Sequence, residues 1–352
     1  MRHGSKLDPD NRFESVQFER DLADVEHDED YLHGIENRPI EYIDDQSESI
    51  VSKNNSPDLP FNFSLNPYRG CIHGCAYCYA RPGHEYLGFN AGLDFETKIV
   101  VKQRAGELFR KFLAKKSWVC EPISFSGVTD CYQPAERKFE LTRQCLEIAN
   151  QCNQPLSIVT KNALVTRDLD ILASMAERNL VHVFVSVTTL DPALARDMEP
   201  RTSIPEARLR AIKQLADAGV PTGAMVSPII PGLNDSEIPA ILQRVKEAGA
   251  IVAGMILLRL PLTVRPVFEE WIRRVRPDKA EMVLGRIRQT RDGNYNNSEF
   301  GKRMRGTGLL AEQIRQVFKT FQKQLGLEFQ MEPHNCDDFI RPSSDGRQQR
   351  LF

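Results

Sequence analysis

The chain has 352 residues, 41% hydrophobic and 27% charged, with a formal net charge of −2 and a pI near 6.4. That is enough for one large domain or two ordinary ones, with the balance of a soluble globular protein. No apolar run approaches the ~20 residues of a membrane span, and the polar, acidic stretch 1–30 lacks the apolar centre of a signal peptide. The expectation is a monomeric cytoplasmic protein that touches no membrane and whose thiols stay reduced.

Residues 1–61 read as an acidic arm, extended or partly disordered. Positions 1–60 hold 16 Asp/Glu against 6 Lys/Arg and show no sustained apolar periodicity. From about residue 62 the pattern changes: residues 63–67 lead into a cysteine-rich loop, and short apolar runs then alternate with amphipathic stretches. Strands are predicted at 123–126, 156–160, 181–187, 222–226 and 251–257, and helices at 104–115, 138–151, 167–178, 204–218 and 236–248. The strands are continuous apolar runs, as expected where both faces of a parallel sheet are covered. Gly219, Pro221 and Gly249 punctuate the junctions.

With the segment before Cys71 there are six βα-type units. They predict an α/β fold in which residues 62–259 form a partial (β/α)6 TIM-like barrel, with an open doubly wound sheet as the alternative. In either, the loops at the carboxyl ends of the strands carry the chemistry. Residues 260–352 read as a basic, mainly helical C-terminal extension over one side of the sheet, with helices at 267–275, 279–288 and 309–325. Positions 259–325 hold 15 Lys/Arg against 7 Asp/Glu. Such a segment suits a polyanion, and it equally suits the acidic arm.

Three of the eight cysteines fall together in Asn66-Pro-Tyr-Arg-Gly-Cys71-Ile-His-Gly-Cys75-Ala-Tyr-Cys78-Tyr-Ala-Arg81-Pro-Gly-His84, with spacing C-x3-C-x2-C. Three thiolates on one short loop can each hold one iron of a cubane cluster, leaving the fourth iron open for a ligand; an electron-transfer cluster uses four cysteines. A Cys3His zinc site completed by His73 or His84 competes with this reading, as does a fourth, distant cysteine such as Cys120 or Cys131. Cys145 and Cys152 read as core residues.

The spacing, with Tyr77 before the third cysteine, resembles the signature of the radical S-adenosylmethionine (SAM) superfamily. That resemblance implies a [4Fe–4S] cluster on Cys71, Cys75 and Cys78 whose open iron chelates SAM, reductive cleavage to methionine and a 5′-deoxyadenosyl radical, and an electron donor such as flavodoxin or ferredoxin. It also implies SAM contacts at the strand ends. Tyr77 would pack near the adenine. Thr129 and Asp130, where the family has a Gly-Gly-Glu-like motif, would meet the ammonium. Thr160, Lys161 and Ser186 would meet the ribose or carboxylate, Arg201 the carboxylate, and the loop with Pro231 and Asn234 the adenine. For Thr129 and Asp130 the alternative is a helix-capping turn, for Arg201 a surface arginine, and for Asn234 the cap of the next helix.

The strings Asn-Pro-Tyr-Arg-Gly-Cys71, Cys75-Ala-Tyr-Cys-Tyr-Ala-Arg81 and Thr129-Asp-Cys-Tyr-Gln-Pro-Ala-Glu136 are similar to the branch grouped with spore photoproduct lyase, a radical enzyme of DNA repair. The resemblance covers about residues 62–258 and implies a nucleic-acid substrate, which the basic segment with Trp271 and Tyr295 would suit. Radical modification of protein, RNA or a small metabolite is the rival, and a zinc- or cluster-stabilised nucleic-acid-binding module is the non-catalytic one. One departure stands out. The lyase's hydrogen-donor cysteine falls near Gly127 and Val128 here, so Cys131 takes that catalytic role only if its loop turns it inward.

Overall fold

The computed structural model describes residues 3–14, 38–328 and 330–343. In chain order the strands are β1 (Glu41–Asp44), β2 (Val51–Lys53), β3 (Phe63–Leu65), β4 (Tyr68–Arg69), β5 (Lys98–Val101), β6 (Ile123–Phe125), β7 (Leu156–Thr160), β8 (Val181–Ser186), β9 (Thr222–Ile229) and β10 (Val252–Leu257). The helices are α1 (Leu93–Thr97), α2 (Ala105–Leu113), α3 (Glu136–Phe139), α4 (Leu141–Gln151), α5 (Leu169–Ala176), α6 (Pro192–Met198), α7 (Pro205–Asp217), α8 (Ile238–Glu247), α9 (Val264–Val275), α10 (Ala280–Gln289) and α11 (Gly308–Gln324).

Strands β3, β6, β7, β8, β9 and β10 lie side by side in that order, all parallel, and β2 adds an antiparallel edge beside β3. The spatial order follows the chain order without reversal. Successive right-handed crossovers therefore put the helices on one side, which makes a partial (β/α)6 barrel and not a doubly wound sheet, where the order must reverse. The main core joins the strands (Phe125, Ile158, Val183, Ala224) to the inner faces of the helices (Phe109, Leu146, Leu172, Ile212, Leu242). β9 runs three residues past its predicted end, taking Ser227–Ile229 out of the following loop.

Two further regions pack on this barrel. Where it is described, the acidic arm is folded onto the barrel. β1 pairs in parallel with β5, which also pairs with β4, to form a second sheet, and β2 pairs with β3. Residues 3–14 lie against the cysteine loop; residues 15–37 fall outside the described residues. Main-chain pairing with little apolar burial accounts for this, since β1 and β2 are mostly exposed and offer no periodic signal. The C-terminal extension does two jobs. Helices α9 and α10 carry Trp271, Phe268 and Leu284 into a second core that also holds Ala76 and Tyr77 of the cysteine loop, while α11 brings Ala311, Ile314 and Phe318 into the main core.

Residues 333–341 then cross the amino-terminal ends of the strands as a strap. His334 Nε2 meets Leu156 O at 3.0 Å, Asn335 N donates to Asn179 O at 2.9 Å, and Ile340 N donates to Cys152 O at 2.8 Å. Arg341 caps the strap with bonds to the carbonyls of Leu113, Lys115 and Trp118. No helix among the described residues is long and apolar enough to cross a membrane.

Candidate active site

The cysteine loop leaves the carboxyl end of β3 and turns at two glycines. Gly70 has φ +75° and Gly74 φ +66°, values that disfavour any side chain. Space forbids one as well: a Cβ on Gly74 would stand 2.5 Å from Glu96 Oε2, and one on Gly70 would stand 2.8 Å from Lys98 O. The loop is pinned by its own main chain, with Cys71 N donating to Phe95 O at 2.8 Å and Ala76 N to Met198 O at 3.1 Å. Gln133 clamps it from β6's side, accepting from Ile72 N at 2.9 Å and donating to Gly70 O at 3.0 Å. Three residues on, Glu136 accepts from Tyr68 Oη at 2.5 Å and from Arg167 at 2.7 Å. The Thr129–Glu136 string is thus the loop's clamp.

Two buried carboxylates, neither singled out by the sequence reading, organise the rest. Glu96 takes Arg81 Nη2 at 2.6 Å, Arg201 Nη2 at 2.8 Å, and the main-chain N–H groups of Gly4 and Ser5 at 3.1 and 2.9 Å. Burial alone would raise its pKa; Arg81, His3 and Arg201 outweigh burial and bring it down to about 2. Arg81 is fully buried and also donates to the carbonyls of Cys75, Ala91 and Gly92. Glu199 takes Arg208, the Tyr77 hydroxyl and Thr188 Oγ1, the last at 2.8 Å, with Lys161 Nζ at 3.5 Å. Here too burial pushes upward, and Arg208, Lys161 and Tyr77 overcome it to leave a pKa of about 2.

The residues expected at SAM turn out to be tied into these networks. Tyr77 is buried with its hydroxyl on Glu199, and Lys161 sits 5.9 Å from its ring centroid while donating to Ser227 O at 2.9 Å. Asp130 joins three segments: it accepts from Thr160 Oγ1 and from Lys161 N, both at 2.8 Å, and stands 3.4 Å from His73 Nδ1. Thr129 Oγ1 donates to Tyr68 O at 2.8 Å. Ser186 is buried at the end of β8 and its carbonyl accepts from Arg208. Asn234 closes the loop after β9, accepting from Ile230 N at 2.6 Å and donating to Thr188 O at 2.8 Å, with buried Pro231 between them.

Two placements redirect the sequence reading. Arg201 reaches Glu96, Ile72 O and His3 Nδ1, so its guanidinium holds the cysteine loop. Cys131 is 1% exposed, belongs to the main core, and has a main-chain bond to Ser126 Oγ. Its loop turns it into the main core, and burial pushes its thiol pKa well up.

Cys71, Cys75 and Cys78 are free thiols. Cys78 packs both on the small cluster of Cys71, Ala80 and Phe95 and on the one holding Cys75 and Tyr77, so the three thiols share one spot. Burial raises all three pKa values, and the neighbouring thiols raise those of Cys71 and Cys75 further. Thiolates there call for cationic partners, which bound iron provides, so the donor set fits an iron–sulfur cluster. No three His, Cys, Asp or Glu side chains among the described residues converge to hold a single ion. His73 points its two ring nitrogens at Asn162 and Asp130, and His84 lies between the rings of Phe89 and Phe95.

The radical SAM superfamily profile matches residues 65–245, from the end of β3 into α8. The chain belongs to the radical SAM superfamily. An uncharacterised protein of Mycobacterium tuberculosis is 39% identical to this radical SAM chain over 226 residues, 64% of this chain and 66% of that protein, just under two thirds of its length. An uncharacterised protein of Methanocaldococcus jannaschii is 31% identical over 201 residues, 57% of this chain and 72% of that protein. The spore photoproduct lyase of Clostridium acetobutylicum is 23% identical over 248 residues, 62% of this chain and 69% of the lyase. A solved spore photoproduct lyase complexed with dinucleoside spore photoproduct superposes with a TM-score of 0.59 at 17% identity, covering 81% of this chain and 79% of that one. This last likeness is one of fold.

Proposed function

We propose that Cys71, Cys75 and Cys78 hold a [4Fe–4S] cluster that cleaves SAM at the carboxyl ends of the barrel strands. The observation that supports this most is the trio of free thiols, two of them buried and Cys78 partly so, on a loop clamped by Gln133, Glu96 and Arg201. Such a cluster, once bound, would supply one-electron reduction of the SAM sulfonium, giving methionine and a radical able to take hydrogen from a substrate. The chain's own part is placement and exclusion of water. Gly70 and Gly74 let the loop turn sharply, and α9 and α10 bury its flank. Glu199 holds Tyr77, Lys161 and Arg208 in one fixed arrangement, and Asp130 ties the ends of β6 and β7 to the loop. These ion pairs sit in a low-dielectric region where they stay preorganised. The electron comes from an external carrier such as a flavodoxin or ferredoxin.

The lyase-like fold makes DNA repair the nearest specific reading, but Cys131 packs in the main core with its main chain bonded to Ser126 and Thr142, and carries no assignment of its own. Our proposal is therefore hydrogen abstraction from a substrate bound at the strand ends. Anaerobic reconstitution with iron and sulfide, followed by dithionite and SAM, tests it. We expect about four irons per chain and formation of 5′-deoxyadenosine, both abolished by Cys75→Ala. A chain that binds zinc in preference to iron and leaves SAM intact would refute the proposal.

A further inference from the structure

Arg259 lies two residues past β10, at the same strand ends as the cysteine loop. Its guanidinium stands 6.0 Å from the centroid of Tyr79, the residue after the third cysteine. It is half-buried, and no hydrogen bond or ion pair within the described residues satisfies it. Beside it, buried Arg291 donates to the carbonyls of Leu257 at 2.7 Å, Leu258 at 2.8 Å and Arg303 at 2.7 Å, with no carboxylate among its partners. Arg303 pairs with Asp58 at 2.5 Å, and Asp58 also accepts from Gly301 N at 2.7 Å. Exposed Arg305 lines a cleft of about 470 Å³ with Pro57, Asp58, Phe300, Gly301 and Met304. Leu257 N donates to Met304 O at 3.1 Å, which fixes this cleft to the end of β10.

Arg259, Arg303 and Arg305 thus lie around one carboxylate, Asp58, which Arg303 and Gly301 N already occupy, and Arg291 lies beside Arg259. Arginine charges drawn partly out of water need a counter-charge, and the protein supplies too little of it here. Burial, followed by the nearby Arg259, lowers the pKa of Arg291 to about 10. A guanidinium fork suits the oxygens of a phosphate. Tyr79 and Phe300 remain 51% and 55% exposed, and Arg303 lies 4.7 Å from the Phe300 ring centroid. Exposed aromatic rings beside arginines are platforms on which a planar base can stack.

We infer that Arg259 and Arg305, flanked by Tyr79 and Phe300, bind the phosphate of a nucleotide substrate, either free or within a polynucleotide, beside the cysteine loop. This rests on the radical reading of the strand ends. The test is labelling of the full, anaerobically reconstituted chain with phenylglyoxal, an arginine reagent, read peptide by peptide. Inorganic phosphate, thymidine monophosphate and a ten-nucleotide oligothymidylate are the protecting probes. Arg259 and Arg305 should label several-fold more slowly with these probes, while exposed Arg137, remote from the cleft, labels unchanged. Protection by the oligonucleotide at far lower phosphate concentration identifies a polynucleotide; equal potency per phosphate identifies a free nucleotide. In the Arg259→Gln chain the protection of Arg305 should disappear. Absence of protection by every phosphate probe, or protection by SAM alone, overturns the subsite. Formation of 5′-deoxyadenosine by the same preparation shows separately whether the radical reading stands.

Discussion

The two ends of the barrel are closed by different physics. At the carboxyl ends, buried charges do the fastening: Glu96 with Arg81 and Arg201, and Glu199 with Arg208 and Lys161. At the amino ends the strap uses mostly neutral groups, with Asn179, Asn153 and His334, and one guanidinium, Arg341, bonded to main-chain carbonyls, and the tilted rings of His182 and His334 3.9 Å apart. A buried ion network gains little net stability over a well-packed apolar one, but it is intolerant of any missing member. A row of main-chain bonds contributes small increments that can be lost one at a time. The charged end therefore fixes geometry, and the neutral end supplies graded stability.

Glu199→Ala should break this comparison most visibly. It leaves Arg208 and Lys161 without their carboxylate in the interior, a loss of about 3–5 kcal/mol, to be read from urea denaturation of the full chain. A loss below about 1 kcal/mol, the level of an exposed pair, would mean that the network is not the fastening described. Acid should separate the two ends by order of failure. Burial, and then His334, lowers the pKa of His182 from 6.5 to about 4, so the strap keeps its full stability above pH 6.5 and loses it as pH falls towards 4. Glu96 and Glu199, lowered from 4.5 to about 2, keep their contribution above pH 4.5 and lose it as pH falls towards 2. Hydrogen exchange, corrected for its intrinsic pH dependence, should show the amides at the start of β7 and β8 opening at pH 5 while those of residues 71–76 stay protected. The reverse order would sink the assignment. The smallest effect is expected of His334→Ala, about 1 kcal/mol for one carbonyl bond and a ring contact, with the cysteine loop's exchange unchanged.

Much of this was legible in the chain. Five of the six core strands announce themselves as apolar runs, β3 shows only as the segment before Cys71, and β7 falls on its predicted bounds. The cysteine loop is legible because three thiols at that spacing have few other uses. β1, β2, β4 and β5 were not, being two to four residues long, too short for any period to register. Glu96 and Glu199 were missed for a different reason. A glutamate reads as surface by default, and what buries Glu96 is an arginine 15 residues away and another 105 away. Arg201 was noticed without its partner Glu96, because sequence shows that a fork of donors exists and not what it meets. The Glu199-Pro-Arg201 tripeptide carried the available hint, a carboxylate and a guanidinium flanking a rigid residue.

Gly4 rests directly on Gly74: a Cβ on Gly4 would fall 1.7 Å from Gly74 O. Neither residue tolerates a side chain, yet the chain between them spans 70 positions. Because that clash is with main chain, which any residue at position 74 carries, glycine at position 4 is required wherever this seat is kept. Among relatives, loss of that glycine would mark the lineages in which this stretch leaves the cysteine loop's side open.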